Sequence, residues 1–165
     1  MVFKIDFEKA YDHVEWRFVD EVMIRKGFGY RCRSWIRGCL ETANFSVMIN
    51  GRPRGRFSAS RGLRQGDPLS PFLFTLVIDV LSRILEITQA ADRFHGLSPG
   101  HKMVEVSHLQ FANDTIFFID DKEEYWNNLL QILELFCFVL GMKINKSKCS
   151  LVGINLDDGL LNELR

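Results

Sequence analysis

The segment LQFANDTIFFID, residues 109–120, decides the fold of this chain. Residues 104–112 and 115–119 are rich in β-branched and aromatic side chains, which predicts two strands. Asn113 and Asp114 lie between them, and both residue types favour tight turns because their side chains hydrogen-bond locally. We predict a hairpin with the Asp114 carboxylate at its tip, where a stiff support suits a metal ligand. From these residues alone, an ordinary hairpin turn is the alternative.

The composition is typical of one globular domain. The chain has 165 residues, and 47% of them are hydrophobic, which is enough to bury a core. Lys plus Arg and Asp plus Glu number 21 each, so the formal net charge is zero. This balance argues against a free-standing nucleic-acid-binding protein that depends on bulk positive charge, although it allows a local basic track.

The cysteines and the N-terminus favour an intracellular protein. No pair of cysteines has the spacing of a zinc site, and the first residues do not resemble a signal peptide. No apolar run reaches the length that spans a membrane. We expect reduced thiols and no membrane association, with nucleus or cytoplasm left open. The four thiols belong to Cys32, Cys39, Cys137 and Cys149.

A second candidate carboxylate belongs to Asp6, near the C-terminal end of a predicted strand over residues 2–7. A strand fixes the direction in which each side chain points, so its end is a suitable place for a metal ligand. A turn or helix-capping role for Asp6 is the alternative from these residues alone.

Helical periodicity predicts helices over residues 15–26, 30–42, 71–89 and 122–140. In the third of these, Ser70 is the expected N-cap, Pro71 the first helical residue, and one row of apolar side chains is expected to be buried. Short strands are expected over 142–145 and 149–154, around a turn at 146–148. The row in the third helix consists of Phe72, Leu76, Val80 and Ile84.

One dense basic patch follows a predicted hairpin turn at Asn50-Gly51. Five arginines lie within thirteen residues there. They could contact a phosphate backbone or a nucleoside triphosphate, or they could only keep an edge strand soluble, and the residues do not separate these alternatives. The patch consists of Arg52, Arg54, Arg56, Arg61 and Arg64.

The segment GLRQGDPLSP, residues 62–71, is a loop that leads into the third predicted helix. Its glycines, Gly62 and Gly66, allow close approach of a ligand to the backbone. The N-terminus of a helix favours an anion, but a glycine-rich turn of this kind is a weak signal by itself.

Four strings of residues occur in the order in which similar strings occur in a family of enzymes. Through them, the chain resembles the palm domain of a reverse transcriptase, of the type encoded by non-LTR (LINE-type) retrotransposons, plant ones especially. The strings are KIDFEKAYD at 4–12, the loop at 62–71, FAND at 111–114 and GMKINKSK at 141–148. The resemblance covers residues 2–152. It implies an α+β fold, a mainly antiparallel sheet with helices packed on one face, with a palm over 1–154 and an unassigned tail at 155–165.

The resemblance also implies an activity and its partners. Such enzymes copy an RNA template by joining a DNA primer 3′-hydroxyl to a dNTP, with two Mg²⁺ ions. By resemblance, Asp6, Asn113 and Asp114 are the catalytic residues, and Asp6, Asp114 and the Phe7 carbonyl are the metal ligands. The implied nucleotide-binding residues are Phe7, Tyr11, which would exclude a ribose 2′-hydroxyl, Gln65, Gly66 and Lys148, which would approach the triphosphate.

Two departures from the family lead us to expect an inactive or severely impaired fragment. Asn113 occupies the position where the family has the first Asp of a pair, so one charge is lost. In addition, 165 residues leave no room for the fingers and thumb of such enzymes. One alternative is a non-catalytic remnant or co-opted nucleic-acid-binding module that uses the arginines at 52–64. Another is a gene-model fragment that gives no stable protein. The oligomeric state is left open.

Overall fold

A computed structural model of the chain describes residues 1–98, 104–111 and 114–153. Among these, the helices are α1 (Ala10–His13), α2 (Trp16–Arg25), α3 (Tyr30–Glu41), α4 (Leu69–Ala90) and α5 (Glu123–Leu140), with a 3₁₀ turn at Lys146–Lys148. The strands are β1 (Val2–Glu8), β2 (Asn44–Ile49), β3 (Arg52–Ser58), β4 (His108–Phe111), β5 (Asp114–Phe118), β6 (Lys143–Ile144) and β7 (Ser150–Val152). The chain divides into a first unit, residues 1–10 and 78–165, and a second unit, residues 11–77.

An antiparallel sheet forms the centre of the first unit. Its strand order is β4-β5-β1-β6, and β7 also pairs with β1. On one edge β1 pairs with β5, and on the other its first half pairs with β7 and its last residues with β6. Sheet and helices together make this an α+β fold, as predicted.

The α5 helix packs against β1. The rings of Phe3 and Trp126 meet edge to face at 4.9 Å, and those of Phe7 and Phe136 lie 6.2 Å apart. A residue in the left-handed region ends the helix, Gly141 with φ of 68°, as is common where glycine follows a helix. The predicted helix over 122–140 is confirmed to within one residue.

In the second unit, α2 and α3 confirm the two helices predicted over 15–26 and 30–42. The β2–β3 hairpin turns at Asn50 and Gly51, whose φ angles of 50° and 74° are both positive. Two successive residues with positive φ define the type I′ turn that Asn-Gly favours.

The predicted row in the third helix is wrong by one position. Phe72 is half exposed, whereas Leu73, Val77, Leu81 and Leu85 are buried along α4. Apolar side chains occupy both of these rows. The periodicity therefore identified the helix but did not fix which face the core covers.

The strand predicted over 104–112 is shorter in the structure. Strand β4 begins only at His108, and Val106 forms an isolated bridge with Leu97. Asp114 is the first residue of β5 rather than the tip of a turn. The other predicted turn residue, Asn113, lies outside the described residues. Within the described part of the chain, no helix is both long enough and apolar enough to cross a membrane.

Candidate active site

Two carboxylates face each other across the central strands of the first unit. Asp6 in β1 and Asp114 in β5 are direct partners in the antiparallel register. Direct partners lie on the same face of a sheet, with Cβ atoms about 4.5–5.5 Å apart. Ile5 and Phe7 on either side of Asp6 are buried in the core, and strand alternation directs Asp6 to the opposite face from them. The register thus brings together two acidic side chains from distant parts of the sequence.

Two lysines offset the charge of this acidic pair. The Nζ atom of Lys148 lies 3.4 Å from Oδ2 of Asp6, and that of Lys4 lies 3.5 Å from Oδ1 of Asp114. A nearby cation matters most for Asp6, whose side chain is only 10% exposed, because burying an uncompensated charge is costly. Lys4 was absent from the predicted site. It precedes Asp6 by two residues and so shares its face, a spacing from which the sequence could have placed it there.

Backbone hydrogen bonds fix Lys148 beside the acidic pair. The Asn145 amide donates to the Asp6 carbonyl at 2.9 Å, which ties the segment after β6 to β1. The amide of Lys148 then donates to the Asn145 carbonyl at 3.0 Å, within the 3₁₀ turn. This short turn therefore holds Lys148 over the end of β1.

The donor set of this face suits a hard divalent cation. Mg²⁺ is commonly held by one or two carboxylates, with water and substrate phosphates completing its shell, and Asp6 and Asp114 supply two carboxylates. Within residues 1–98, 104–111 and 114–153, no group of three or more His, Cys, Asp or Glu side chains is placed to hold a metal. The Phe7 side chain is a buried hydrocarbon without an oxygen atom, so only the backbone carbonyl of this residue can serve as a ligand.

In the second unit, a stacked aromatic pair supports Tyr11. Its ring lies nearly parallel to that of Phe74, with centroids 4.5 Å apart and an interplanar angle of 17°. The Leu63 amide donates to the Tyr11 carbonyl at 2.7 Å. Helix α4 and the glycine-containing loop therefore both position Tyr11, and Phe74 is a contributor that no local pattern in the sequence indicates.

Gly62 is required by close packing as well as by its backbone angle. Its φ is +87°, and a Cβ atom added there would lie 2.7 Å from the Asp12 carbonyl oxygen. The carbonyl of Gly62 accepts a 2.7 Å hydrogen bond from the Trp16 indole. Gly66 also has a positive φ, +83°, but a Cβ atom there would meet nothing within 4 Å. The loop thus needs one glycine for space and the other for conformation only.

The loop residue Gln65 reaches back toward Asp12, and its side-chain amide lies 3.5 Å from the Asp12 carboxylate. The start of α4 differs from the prediction. The Leu69 amide donates to the Asp67 carboxylate at 2.9 Å, so Asp67 caps the helix, and Ser70 is buried within it. Hydrogen bonds from Arg64 and from the Leu69 amide hold the pKa of Asp67 below its usual range.

The five arginines of the predicted basic patch do not form one group. Arg61 lies 3.8 Å from the Glu15 carboxylate, and Arg64 pairs with Asp67. The other three, Arg52, Arg54 and Arg56, lie on the exposed strand β3, and within the described residues their side chains form no ion pair. Only this second group is available to an external anion without first breaking an ion pair.

A cleft of about 430 Å³ lies within the second unit. The loop contributes Arg61 and Gln65 to its lining, and α2 contributes Trp16. The hairpin contributes Phe45 and Phe57, whose rings stack 5.6 Å apart. The cleft therefore combines aromatic surface with hydrogen-bonding groups, a combination suited to a planar polar ligand.

Residues 1–155 match the profile of a family described as reverse transcriptase (RNA-dependent DNA polymerase). The chain belongs to the reverse transcriptase family. This membership agrees with the acidic pair at the sheet face and with the order of the four strings in the sequence.

Similar proteins include parts of retrotransposon polyproteins. The chain is 30% identical over 152 residues to the Pol polyprotein of the type-2 retrotransposable element R2DM of Drosophila melanogaster, covering 91% of this chain and 13% of that protein. It is 28% identical over 152 residues to that of an R2 element of Popillia japonica, covering 90% and 23%. An uncharacterized mitochondrial protein of Arabidopsis thaliana is 47% identical over 68 residues, which are 41% of this chain and 56% of that protein. The reverse transcriptase chain thus spans only part of these relatives.

Solved structures with the same fold include two yeast telomerases. A Candida albicans telomerase in complex with a fragment of telomeric RNA superposes with a TM-score of 0.74 at 11% identity, covering 95% of this chain and 27% of that one. An apo telomerase from Candida tropicalis gives a TM-score of 0.69 at 16% identity, covering 95% and 31%. At these identities the comparison supports the palm-type fold alone.

The structure brings the predicted site residues together in two sets. In the first unit, Asp6 adjoins both Asp114 and Lys148. Tyr11 and the loop that carries Gln65 and Gly66 adjoin one another in the second unit. The predicted catalytic residue Asn113 lies outside the described residues.

Proposed function

We propose that this chain is the palm of an RNA-directed DNA polymerase, with a carboxylate site that holds Mg²⁺ through Asp6 and Asp114. The observation that carries this proposal is the direct register between these two residues on one face of the sheet. The Phe7 carbonyl, next to Asp6 in sequence, completes the proposed ligand set. When bound, Mg²⁺ lowers the pKa of a primer hydroxyl and offsets the charge of the leaving pyrophosphate.

Lys148 is the residue that we propose to contact the triphosphate of a dNTP. Its side chain is 66% exposed and its ammonium group lies beside Asp6. A cation at the carboxylates weakens the attraction of Asp6 for the lysine, whereas an incoming triphosphate attracts it. Lys148 is therefore suited to exchange its partner when substrate and metal enter together.

The Tyr11 ring supports selection of deoxyribose. A ring stacked on Phe74 has little freedom to move aside, so a ribose 2′-hydroxyl placed against it would clash. We propose that Gln65 and Gly66 flank the nucleotide and the template base. The open space beside Gly66 leaves its backbone accessible for such an approach.

Asn113 is the reason that we propose impaired catalysis. An amide keeps one carbonyl oxygen but loses the unit charge that the family's Asp would supply. At about 4 Å and an effective dielectric of about 20, one unit charge contributes roughly 4 kcal/mol, and Mg²⁺ is divalent. Because about 1.4 kcal/mol is a tenfold change in rate, about half of the doubled energy for a divalent ion corresponds to a loss on the order of a thousandfold.

The exposed arginines of β3 support a second function, binding of nucleic acid without catalysis. Arg52, Arg54 and Arg56 add positive charge to a chain whose net charge is zero. Such residues bind phosphates in a way that does not require the carboxylate site. In this alternative the chain is a non-catalytic binding module that descends from a polymerase.

Primer extension tests the first proposal. The parent chain and its Asn113→Asp variant are compared on a poly(rA) template with an oligo(dT) primer, dTTP and Mg²⁺. The expected result is extension by the variant that exceeds that of the parent by about a thousandfold. A variant that carries both Asn113→Asp and Asp6→Asn is the control, and it should be inert because it lacks a carboxylate of the pair.

Three outcomes separate the alternatives. Parent activity equal to that of Asn113→Asp would contradict the role given to Asn113. Activity that survives Asp6→Asn would contradict the carboxylate site itself. If both chains are folded and inert, but bind primer–template in a salt-dependent way, the binding module is the better description.

A further inference from the structure

A bulge in the β2–β3 hairpin gathers aromatic and arginine side chains on one face. Phe45 pairs with Phe57 and Val47 pairs with Arg54, so β2 advances two residues where β3 advances three. Gly55 lies in the longer stretch with φ of +63°, the left-handed conformation found at one common type of bulge. Because of the extra residue, the side chains of β3 that follow the bulge lie on the opposite face from the one that regular alternation would give them.

The bulge changes which side chains of β3 lie on the same face of the hairpin. In an unbroken strand, Arg52, Arg54 and Arg56 would share one face and Phe57 would lie on the other. With the bulge, Arg52 and Arg54 share the face of Phe57, and Arg56 lies opposite. We call this the aromatic–arginine face, and it consists of Phe45, Val47, Ile49, Arg52, Arg54 and Phe57.

Most of this face is open to solvent, and Phe45, which lines the cleft, is half-buried. Phe57, Val47 and Ile49 are each more than half exposed, and both arginines are exposed. The stretch from residue 42 to residue 66 contains five arginines and no acidic residue, so its charge complements an anionic partner. Exposed aromatic rings next to arginines form the type of surface on which unpaired bases stack while cations contact phosphates.

The cleft extends this face toward the substrate loop. Phe45 and Phe57 line the cleft together with Arg61 and Gln65, all within the second unit. A strand that stacks on the aromatic pair would therefore reach Gln65 along a continuous surface. A base pair inside a duplex has no free face to stack, so the surface suits a single strand better than a duplex.

We propose that the aromatic–arginine face binds unpaired nucleic acid, by stacking of bases on Phe45 and Phe57 and by contact of phosphates with Arg52 and Arg54. The inference rests on the proposed function, because it gives the template strand a path to Gln65. To the proposed function, this inference adds that the face prefers single strands over duplexes and depends little on base sequence.

Fluorescence anisotropy with a labelled 20-nucleotide single-stranded RNA and the full chain tests the proposal, without Mg²⁺ or dNTP. Phe57→Leu should weaken binding about tenfold, since stacking on an aromatic ring contributes roughly 1–3 kcal/mol per base. Phe72→Leu is the matched control, because Phe72 is 52% exposed and Phe57 is 53% exposed. This control should bind like the parent.

The two faces of β3 offer a second matched pair. Arg54→Gln should weaken binding and lower the slope of log affinity against log salt by roughly 0.7, the value for one phosphate contact on a single strand. Arg56→Gln removes the same charge from the opposite face. Binding through all three arginines of β3 predicts equal losses for the two variants, whereas the aromatic–arginine face predicts that Arg56→Gln changes both quantities much less. Circular dichroism of each variant verifies that the fold is retained.

Several results would overturn the proposal. Equal losses for Arg54→Gln and Arg56→Gln would mean that only bulk charge matters. Equal affinity for duplex and single strand, or an unchanged affinity for Phe57→Leu, would exclude stacking. Self-association that Phe57→Leu abolishes would assign the face to a second copy of the chain. Because the assay contains no metal and no substrate, it is independent of primer extension, and either proposal can fail alone.

Discussion

Lys148 and Asp6 form an ion pair of 3.4 Å in which the lysine is 66% exposed and the carboxylate side chain 10% exposed. The pair is therefore asymmetric, because solvent screens the lysine while the carboxylate depends on its protein neighbours. A cation that binds Asp6 must compete with the ammonium group already beside it. The affinity of the site for metal and the position of Lys148 are thus coupled.

Removing this lysine should strengthen Mg²⁺ binding. In Lys148→Gln, the Kd for Mg²⁺, obtained from the dependence of melting temperature on Mg²⁺ concentration, should fall about fivefold, which corresponds to roughly 1 kcal/mol for a partly exposed pair. Asp6→Asn should abolish the Mg²⁺-dependent increase. Lys146→Gln, in the same 3₁₀ turn, is the control, and a decrease of the same size in that variant would mean that net charge alone is responsible.

Gly62 and Gly66 should respond differently to the same substitution. Gly62→Ala places a Cβ atom 2.7 Å from the Asp12 carbonyl oxygen at a φ of +87°, so the loop must shift, and the free energy of unfolding should fall by about 3 kcal/mol or more. Gly66→Ala introduces only the unfavourable φ, which costs about 1 kcal/mol. Urea denaturation measures both losses. Equal losses would contradict the close approach of Gly62 to Asp12.

The sequence predicted the positions of the helices and strands better than it predicted which side of each element is buried. Helices α2, α3 and α5 were correct to within one or two residues, because each has a clear apolar period, whereas the short α1 was not predicted. In α4, apolar residues occur on more than one side of the helix. The predicted buried row therefore begins at Phe72, whereas the observed row begins at Leu73. The Asn50-Gly51 turn was predictable, but the bulge at Gly55 depends on pairing with β2, which local sequence does not specify.

The acidic pair could be proposed from the order of strings, and spacing places Lys4 on the face of Asp6, but the contact of Lys4 with Asp114 could not be predicted. Asp6 and Asp114 are partners because β1 and β5 are neighbours, which is a non-local property. The same is true of Lys4 beside Asp114 and of Phe74 beneath Tyr11. These contacts connect residues whose separation in the sequence gives no periodic signal, so only the tertiary structure reveals them.

Phe74 should influence sugar selection through Tyr11. In the Asn113→Asp background, Phe74→Leu removes the ring on which Tyr11 stacks. Because an aromatic pair contributes about 0.5–1.5 kcal/mol, the ratio of dNTP to NTP incorporation should fall by up to about tenfold. Phe94→Leu is the matched control, since Phe94 is also buried and its loss should destabilise the fold by a similar amount, about 1 kcal/mol. An equal fall of this ratio in both variants would mean that lower stability of the fold, rather than loss of the ring that supports Tyr11, changes the selection of dNTP over NTP.

His95 should make the stability of the first unit depend on pH. Its Nε2 atom lies 2.7 Å from the Asp92 carboxylate and its Nδ1 atom 3.2 Å from that of Glu105. Hydrogen bonds that the His95 ring donates to Asp92, the larger effect, and to Glu105 raise the pKa of His95 above its ordinary 6.5. Its contribution to stability is therefore fully present below pH 6.5 and is lost as the pH rises through the raised pKa.

Two other groups, Glu105 and His108, also affect how the stability of the first unit depends on pH. Burial opposes ionisation of Glu105, but hydrogen bonds from the Gly96 amide and His95 outweigh it and lower the pKa of Glu105 below 4.5. The stability that Glu105 contributes is thus lost only as the pH falls through that lowered value. Desolvation lowers the pKa of His108, so protonation of His108 disfavours the fold and acts against His95 as the pH decreases.

Comparison with a His95→Gln variant isolates the His95 contribution, because His108 is common to both chains. The parent should exceed the variant in melting temperature by roughly 1–3 °C at pH 5.5, the size expected for a largely solvent-screened pair. The difference should vanish by about pH 9, when the imidazole is neutral in both the folded and the unfolded chain. A difference that persists unchanged to pH 9 would show that His95 contributes by packing against Tyr125, whose ring lies 5.4 Å away, rather than by its charge.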